Sequence, residues 1–383
     1  MGHDVSLRDR VAMHNANRLK LGLFGSNCSS GRAVTTVGER WSGNWADNLK
    51  LARMADEAGI DFLLPVARWK GYGGTTDYQG TTLETLTWAS GLLASTKRIT
   101  VFGTVHAPLF NPVIAAKECV TADQIGEGRF GLNLVVGWNE DEFEMFGVQQ
   151  REHEARYEFA QEWLDVLKLM WSPQEEFDFD GHFLKLKGVR AKPKPVSGTR
   201  PLIMNAGASA TGRAFAVKNC DAFFMQASRV SIAETAVNVQ KAKDLGQQHG
   251  QDIGVYSVGV VTCRRTQKEA EEYYNHCIVE NADFSAIDGI LAKKNITLAS
   301  HGAEEFDRQR KHYANGMGGL LIVGDADRVT NTLAELSSAG LNGMAISFIN
   351  YLEEMPFFCD EVLPRLERLG LREAHNHQQA RTA

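Results

Sequence analysis

Eight short apolar runs alternate with stretches of helical spacing along almost the whole chain, and this alternation narrows the fold more than any other feature of the sequence. The runs lie at 19–24, 62–66, 99–106, 130–136, 201–205, 222–225, 255–263 and 343–348. Helical spacing fills 45–58, 83–95, 152–170, 211–218, 232–248, 267–280, 326–339 and 356–369. The first of these carries Leu49, Leu51, Ala52 and Ala55 and closes on Gly59, and Asn111-Pro112 opens a further helix with proline at its first position. Repeated strand–helix units demand a parallel sheet with helices outside it. Eight strands, with no Gly-x-Gly-x-x-Gly after the first, predict a closed α/β barrel, a (β/α)8 TIM barrel, over an open doubly wound sheet. In such a barrel the active site lies at the C-terminal strand ends.

Two segments break the rhythm. Residues 172–199, before the fifth strand, hold a hairpin signal at Asp180-Gly181 and the extended connector Lys192-Pro193-Lys194-Pro195. Residues 284–318, before the eighth strand, read as irregular. Both are expected insertions within one barrel domain at 18–370, flanked by an N-terminal extension at 1–17 and a polar tail at 371–383. A net charge of -6 without a basic stripe argues against nucleic acid as a partner. No apolar run approaches the ~20 residues a membrane span needs, and the polar start shows no signal-peptide core, so a cytoplasmic location is expected. The six cysteines form no CxxC pair and are expected to be free and buried.

Strand side chains alternate between faces. On the third strand, Ile99, Val101, Gly103 and Val105 suit the helix-covered outside, leaving Thr100, Phe102, Thr104 and His106 inside. On the fourth, Phe130, Leu132, Leu134 and Val136 form the apolar outer face, leaving Gly131, Asn133, Val135 and Gly137 inside. Thr104 and Asn133 thus offer neighbouring hydrogen-bonding groups near the catalytic end, and the glycines beside them leave room for a flat ligand. An internal Thr–Asn hydrogen bond would equally satisfy both. Phe102 reads as core. His106 reads either as a substrate contact or as a hydrogen-bonded rim histidine, with no metal-ligand company. Ser209, after Asn205-Ala206-Gly207-Ala208, fits a phosphate site or an ordinary helix cap. The acidic run Glu140, Asp141, Glu142 and Glu144 fits the electrostatics of a helix start.

The run Gly128-Arg129-Phe130-Gly131-Leu132-Asn133-Leu134-Val135-Val136-Gly137-Trp138 resembles the bacterial luciferase-like flavin monooxygenases, nearest the pyrimidine, dimethyl sulfone and alkanesulfonate monooxygenase branch. Arg68-Trp69-Lys70-Gly71-Tyr72-Gly73-Gly74, His153-Glu154-Ala155-Arg156-Tyr157, Gly181-His182-Phe183 and Ala206-Gly207-Ala208-Ser209 are similar to that family's motifs in order and spacing. The resemblance spans about residues 18–370 and implies a barrel that binds FMN, as FMNH2, at its C-terminal strand ends. Leu64, Val66, Ala67, Arg68, Thr104, Asn133, Glu142, Arg156, Tyr157, Gly207 and Ser209 would line the cofactor and oxygen sites, with Thr104 and Asn133 catalytic. His106, Trp138 and Tyr72 would face substrate, and no metal is implied. The implied reaction uses O2 and a flavin peroxide to oxygenate a small molecule and break a C–N, C–S or C–halogen bond. FMNH2 would come from a separate NAD(P)H-dependent flavin reductase, and a homodimer or homotetramer is expected. Two other readings share the fold: a deazaflavin (F420)-dependent dehydrogenase and a non-catalytic flavin-binding protein. Thr104 and the Asn139-Glu140-Asp141-Glu142-Phe143 run are more pyrimidine-like, residues 31–45 more sulfone-like, and His106-Ala107-Pro108 departs from both.

Overall fold

Strands that are apolar on both faces must be covered on both. The computed structural model, which describes residues 11–196, 200–228 and 231–374, meets this by closing the sheet on itself. Lys20–Phe24 (β1), Phe62–Leu64 (β2), Thr100–His106 (β3) and Phe130–Val135 (β4) run in parallel, side by side. The antiparallel hairpin Glu176–Asp180 (β5) and Lys185–Arg190 (β6) stands apart. Leu202–Asn205 (β7) joins β4, and Ala222–Phe224 (β8) joins β7. Gly254–Cys263 (β9) pairs with β8 below and with Leu320–Gly324 (β10) above. Gly343–Ser347 (β11) pairs with the opposite edge of β9 and with β1, which closes an eight-stranded parallel barrel. All eight runs expected as strands form it.

β10 is a ninth parallel strand that the apolar pattern left unassigned. Among the described residues it pairs with β9 alone, from Gly259 to Cys263, and so has no place in the closed ring. The segment expected to be irregular carries helices Phe284–Lys293, Leu298–His301 and Ala303–Ala314, the first two capped by the side chains of Asp283 and Thr297. The last helix begins at Tyr351, five residues before its expected start, because Asn350 caps it and Pro356 is accommodated inside. The polar tail lies outside the described residues from 375 on, as do residues 1–10. Leu371 and Arg372 themselves are buried.

The two strand faces divide as expected. Ile99, Val101, Val105, Phe130, Leu132 and Leu134 pack under the outer helices. Phe62, Leu64, Phe102, Met204, Phe224 and Tyr256 fill the barrel, with the Phe62 ring edge-on to Phe102 and to Tyr256 at 6.0 Å each. The glycines serve this plug. A Cβ at Gly22 would sit 2.2 Å from the Phe62 ring, and one at Gly131 2.2 Å from the Phe102 ring. Gly131 therefore seats an aromatic below the site and does not leave room for a flat ligand, while Gly103 faces outward onto Leu86. All six cysteines are buried and unbridged. Among the described residues, no helix is long and apolar enough to cross a membrane.

The N-terminal end of the barrel is sealed by one carboxylate. Asp61, fully buried, accepts from Leu21 N at 2.7 Å, from the amides of Asn15 and Asn17 at 2.8 Å each, and from Arg372 Nη1 at 2.5 Å. Arg372 also donates to Leu19 O and Gly59 O. Removing one partner of a buried pair leaves the other charge uncompensated, at about 3–5 kcal/mol. Asp61→Ala should therefore lower the thermal midpoint by several degrees while leaving the distant strand ends intact; an unchanged midpoint would refute the assignment of this contact as the seal.

Candidate active site

The C-terminal strand ends open into a cavity of about 650 Å³. Its floor is Phe24 of β1, Leu64 of β2, Asn133 of β4, Phe224 of β8 and Val258 of β9. Lys294, His312, Tyr313, Met317 and Gly318 reach over it from the segment between β9 and β10. That segment forms a roof with a core of its own. Ile287, Ile290 and Ala314 pack against Val34 from the loop after β1, and against Tyr72 and Tyr78 from the loop after β2. Asp283 accepts from Thr76 N and Thr76 Oγ1 at 2.8 Å each, and Thr36 N donates to Asn281 O at 2.8 Å. Gly74, at φ +78, comes so close to the roof that a Cβ would lie 2.5 Å from Ala286.

On the floor, Thr104 and Asn133 are register partners across β3 and β4. The Thr104 hydroxyl donates to Pro65 O at 2.7 Å and accepts from Asn133 Nδ2 at 3.1 Å. The internal pair and the open site, alternatives in the sequence, coexist here. Asn133 spends its amide nitrogen on Thr104, while its buried Oδ1 has no partner and the residue lines the cavity. A buried acceptor left without a donor costs ~1–3 kcal/mol, so this atom points to a ligand N–H or O–H. The Thr104 proton is committed to Pro65, which makes Thr104 the strut beneath Asn133.

A second group stands beyond the floor, after β2, β3 and β4. Glu142, buried at the start of the short helix Glu140–Met145, accepts through Oε1 from Arg68 Nη1 at 2.9 Å, Trp69 N at 2.9 Å and Lys70 N at 3.3 Å. The carboxylate thereby holds the loop after β2. Arg68 lies over the Tyr72 ring at 4.7 Å and the Trp138 ring at 5.9 Å. The Tyr72 hydroxyl and Arg68 Nε are buried without partners. His106 is also buried, with Nδ1 unpaired; burial pushes its pKa down to about 4, with Glu142 opposing and Arg68 adding, so the ring is neutral near pH 7. These residues do not line the cavity directly. Trp138 is linked to it by Lys294, whose ammonium sits 4.6 Å over the indole. Val66 and Ala67 form the loop start, where Asn27 takes both Val66 backbone groups.

The third group faces it from the β7 and β8 side. Ser209 caps helix Ala210–Asn219 by accepting from Gly212 N at 3.0 Å. Its hydroxyl also meets Tyr157, whose pKa is raised by burial against that contact. Gly207 passes so near Gly212 that a Cβ would lie 2.6 Å from its Cα. Arg156 donates to Gly137 O at 2.7 Å and keeps a buried, unpaired Nε. Ala206, Ala208, Arg213, Asn238 and Lys241 line the cavity here. A helix N-terminus beside two cations suits a phosphate. With the unpaired Asn133 Oδ1 and the apolar floor, it fits a flavin mononucleotide.

Sequence reasoning missed Arg213, Asn238, Lys241, Arg32 and Lys294. Arg213 carried a signal, standing four residues after Ser209 in the first turn after a strand end. Asn238 and Lys241 lie on a helix, where such residues usually read as a solvated face, and Lys294 sits in the segment read as irregular.

The chain matches the sequence profile described as luciferase-like monooxygenase over residues 19–343. It is 29% identical over 358 residues to the FMNH(2)-dependent dimethylsulfone monooxygenase of Pseudomonas putida, covering 92% of this chain and 96% of that protein. It is 28% identical over 355 residues to the pyrimidine monooxygenase RutA of Enterobacter sp. (strain 638), covering 91% and 96%. The crystal structure of DmoA from Hyphomicrobium sulfonivorans shares its fold, with a TM-score of 0.83 at 17% identity over 96% of each chain. The strand-end cavity and this match over most of the chain together place the protein in the luciferase-like monooxygenase family.

Proposed function

We propose that the chain is the oxygenase of a two-component system, using FMNH2 from a separate NAD(P)H-dependent flavin reductase and O2 to cleave a C–N, C–S or C–halogen bond in a small organic molecule. The observation that carries this reading is the unpaired Asn133 Oδ1 on the floor of a cavity that is also lined by Ala208 and Arg213 at the Ser209-capped helix start. Its relatives' names, FMNH(2)-dependent dimethylsulfone monooxygenase and pyrimidine monooxygenase, support the same chemistry.

Reduced flavin, when bound, supplies the electron pair and the place where O2 is activated. The protein's residues do the rest by position. Asn133 Oδ1 would accept from a flavin N–H, and Thr104 keeps that amide from rotating. Ser209, Tyr157 and the amide groups at the start of helix Ala210–Asn219 would hold the phosphate, with Arg213 and Lys241 neutralising it. Glu142 acts through Arg68, fixing the guanidinium over Tyr72 and Trp138 at the rim. Phe62, Phe102 and Tyr256 keep water from entering from below, and the roof excludes it from above. His106, neutral and buried, presents a hydrogen-bonding nitrogen without adding charge.

The direct test supplies FMNH2, 18O2 and a panel of small sulfones, pyrimidines and haloorganics, read by mass spectrometry. Label in a cleaved product is the expected result. Substrate oxidation without oxygen, with a deazaflavin as hydride acceptor, would replace this reading by a dehydrogenase. Thr104→Val should leave the fold intact but lower product formed per O2 consumed several-fold; unchanged coupling would sink its role as strut. Ser209→Ala should weaken FMN binding by about 1 kcal/mol and lower stability by a similar amount through loss of the cap. A stability loss with unaltered FMN affinity would reduce Ser209 to a cap alone.

A further inference from the structure

Among the described residues, the cavity is lined by four basic side chains, Arg32, Arg213, Lys241 and Lys294, and by no carboxylate, in a chain whose net charge is -6. They fall into two poles. Arg213 and Lys241 lie on the helices after β7 and β8. Arg32 lies on the loop after β1, and Lys294 just past the roof helix Phe284–Lys293. β1 and β7 are four places apart in a ring of eight, which sets Arg32 across the mouth from Arg213, while Lys241 and Lys294 follow the neighbouring strands β8 and β9. One phosphate accounts for the first pole and leaves the second unmatched.

The second pole is built but not neutralised. Gly25, at φ +77, lets the Arg32 stem pack where a Cβ would come within 3.1 Å of it. The guanidinium then lies 4.6 Å over the Phe24 ring and donates to Gly316 O at 2.5 Å. Lys294 sits over Trp138 at 4.6 Å and Tyr313 at 5.8 Å. Neither cation pairs with a carboxylate among the described residues, whereas neighbouring Arg68 is paired with Glu142 and Lys293 with Asp141. Desolvation lowers the Lys294 pKa, and Arg68 and Arg32 push it further the same way, which marks the two cavity cations as mutually repelling. The same lining carries the apolar side chains of Phe24, Leu64, Phe224, Met225, Val258 and Met317.

We propose that Arg32 and Lys294 recognise the anionic end of the substrate, which is an organic oxyanion, a carboxylate or sulfonate carried on an apolar body. This rests on the oxygenase reading and adds the substrate's charge to it. An anion at this pole relieves the repulsion between two cations in a site whose described lining holds no counter-charge. The apolar body then lies along the wall, toward the floor where Asn133 stands.

Isothermal titration of the FMN-saturated protein tests it with two matched pairs: hexanoate against hexanamide, and 1-hexanesulfonate against methyl hexyl sulfone. At least one anion should bind tenfold or more tighter than its neutral partner, and weaken as KCl is raised. Arg32→Gln and Lys294→Gln should each reduce that affinity at least fivefold, with oxidised and reduced FMN affinities changed less than twofold. Which pair responds separates carboxylate from sulfonate. Equal binding of anion and neutral partner, no binding by either anion, or unaffected variants would overturn the proposal. So would a tenfold loss of reduced FMN in the variants, which would assign the pair to the flavin ring. The titrations are repeated without FMN; if the unsubstituted protein binds no FMN, the oxygenase reading fails, and the anion preference stands or falls on these titrations.

Discussion

One hydroxyl ties the floor of the site together. Thr104, on β3, reaches sideways to a carbonyl just past β2 and receives an amide from β4, so three adjacent strands meet at a single oxygen. That arrangement decides which way the Asn133 carboxamide faces. With Nδ2 held down, Oδ1 has only the cavity to face, and it is buried enough to need a partner there. Thr85 steadies the same strand from outside through the Thr104 carbonyl, at 2.7 Å. The aromatic plug below makes the floor rigid, and the loops after each strand set the cations and helix starts around it.

Much of this was legible in the chain because a barrel obeys two periodicities. Alternation along β3 and β4 told inside from outside, and Thr104, Asn133 and Phe102 lie where period two puts them. Strand positions were legible for the same reason. The glycines beside Thr104 and Asn133 were misjudged because a missing Cβ signals closeness without saying to what, and here the neighbours are Phe102 for Gly131 and Leu86 for Gly103. The roof was illegible as helix because its apolar face is shared with two distant loops, so no single window carries the full stripe. β10 was missed although its residues 320–323 are an apolar run, because eight strands already complete a barrel and leave a ninth no place. Glu142 shows a third limit: an acidic helix start is electrostatically ordinary, and only the fold brings Arg68, Trp69 N and Lys70 N to it.

The charge pattern follows from burial. At the rim, each deeply placed charge has a partner or is removed: Arg68 meets Glu142, and His106 stays neutral. Around the cavity the rule is suspended, with four basic side chains and no acid among its described lining residues. A folded chain tolerates that imbalance where water or a ligand can enter, and it is the clearest electrostatic difference between the working end of this barrel and its N-terminal end, where Asp61 and Arg372 seal each other.

The roof's hydrophobic cluster and the barrel's interior cluster have no residue in common. Cooperative units are set by such contiguity. The mouth can therefore be uncovered by parting the roof unit while the plug and the Thr104 strut keep their places. Cofactor and substrate exchange would then proceed through a sub-global opening, and amide protons in helices Phe284–Lys293 and Ala303–Ala314 would exchange by a cheaper route than those of β3 and β4.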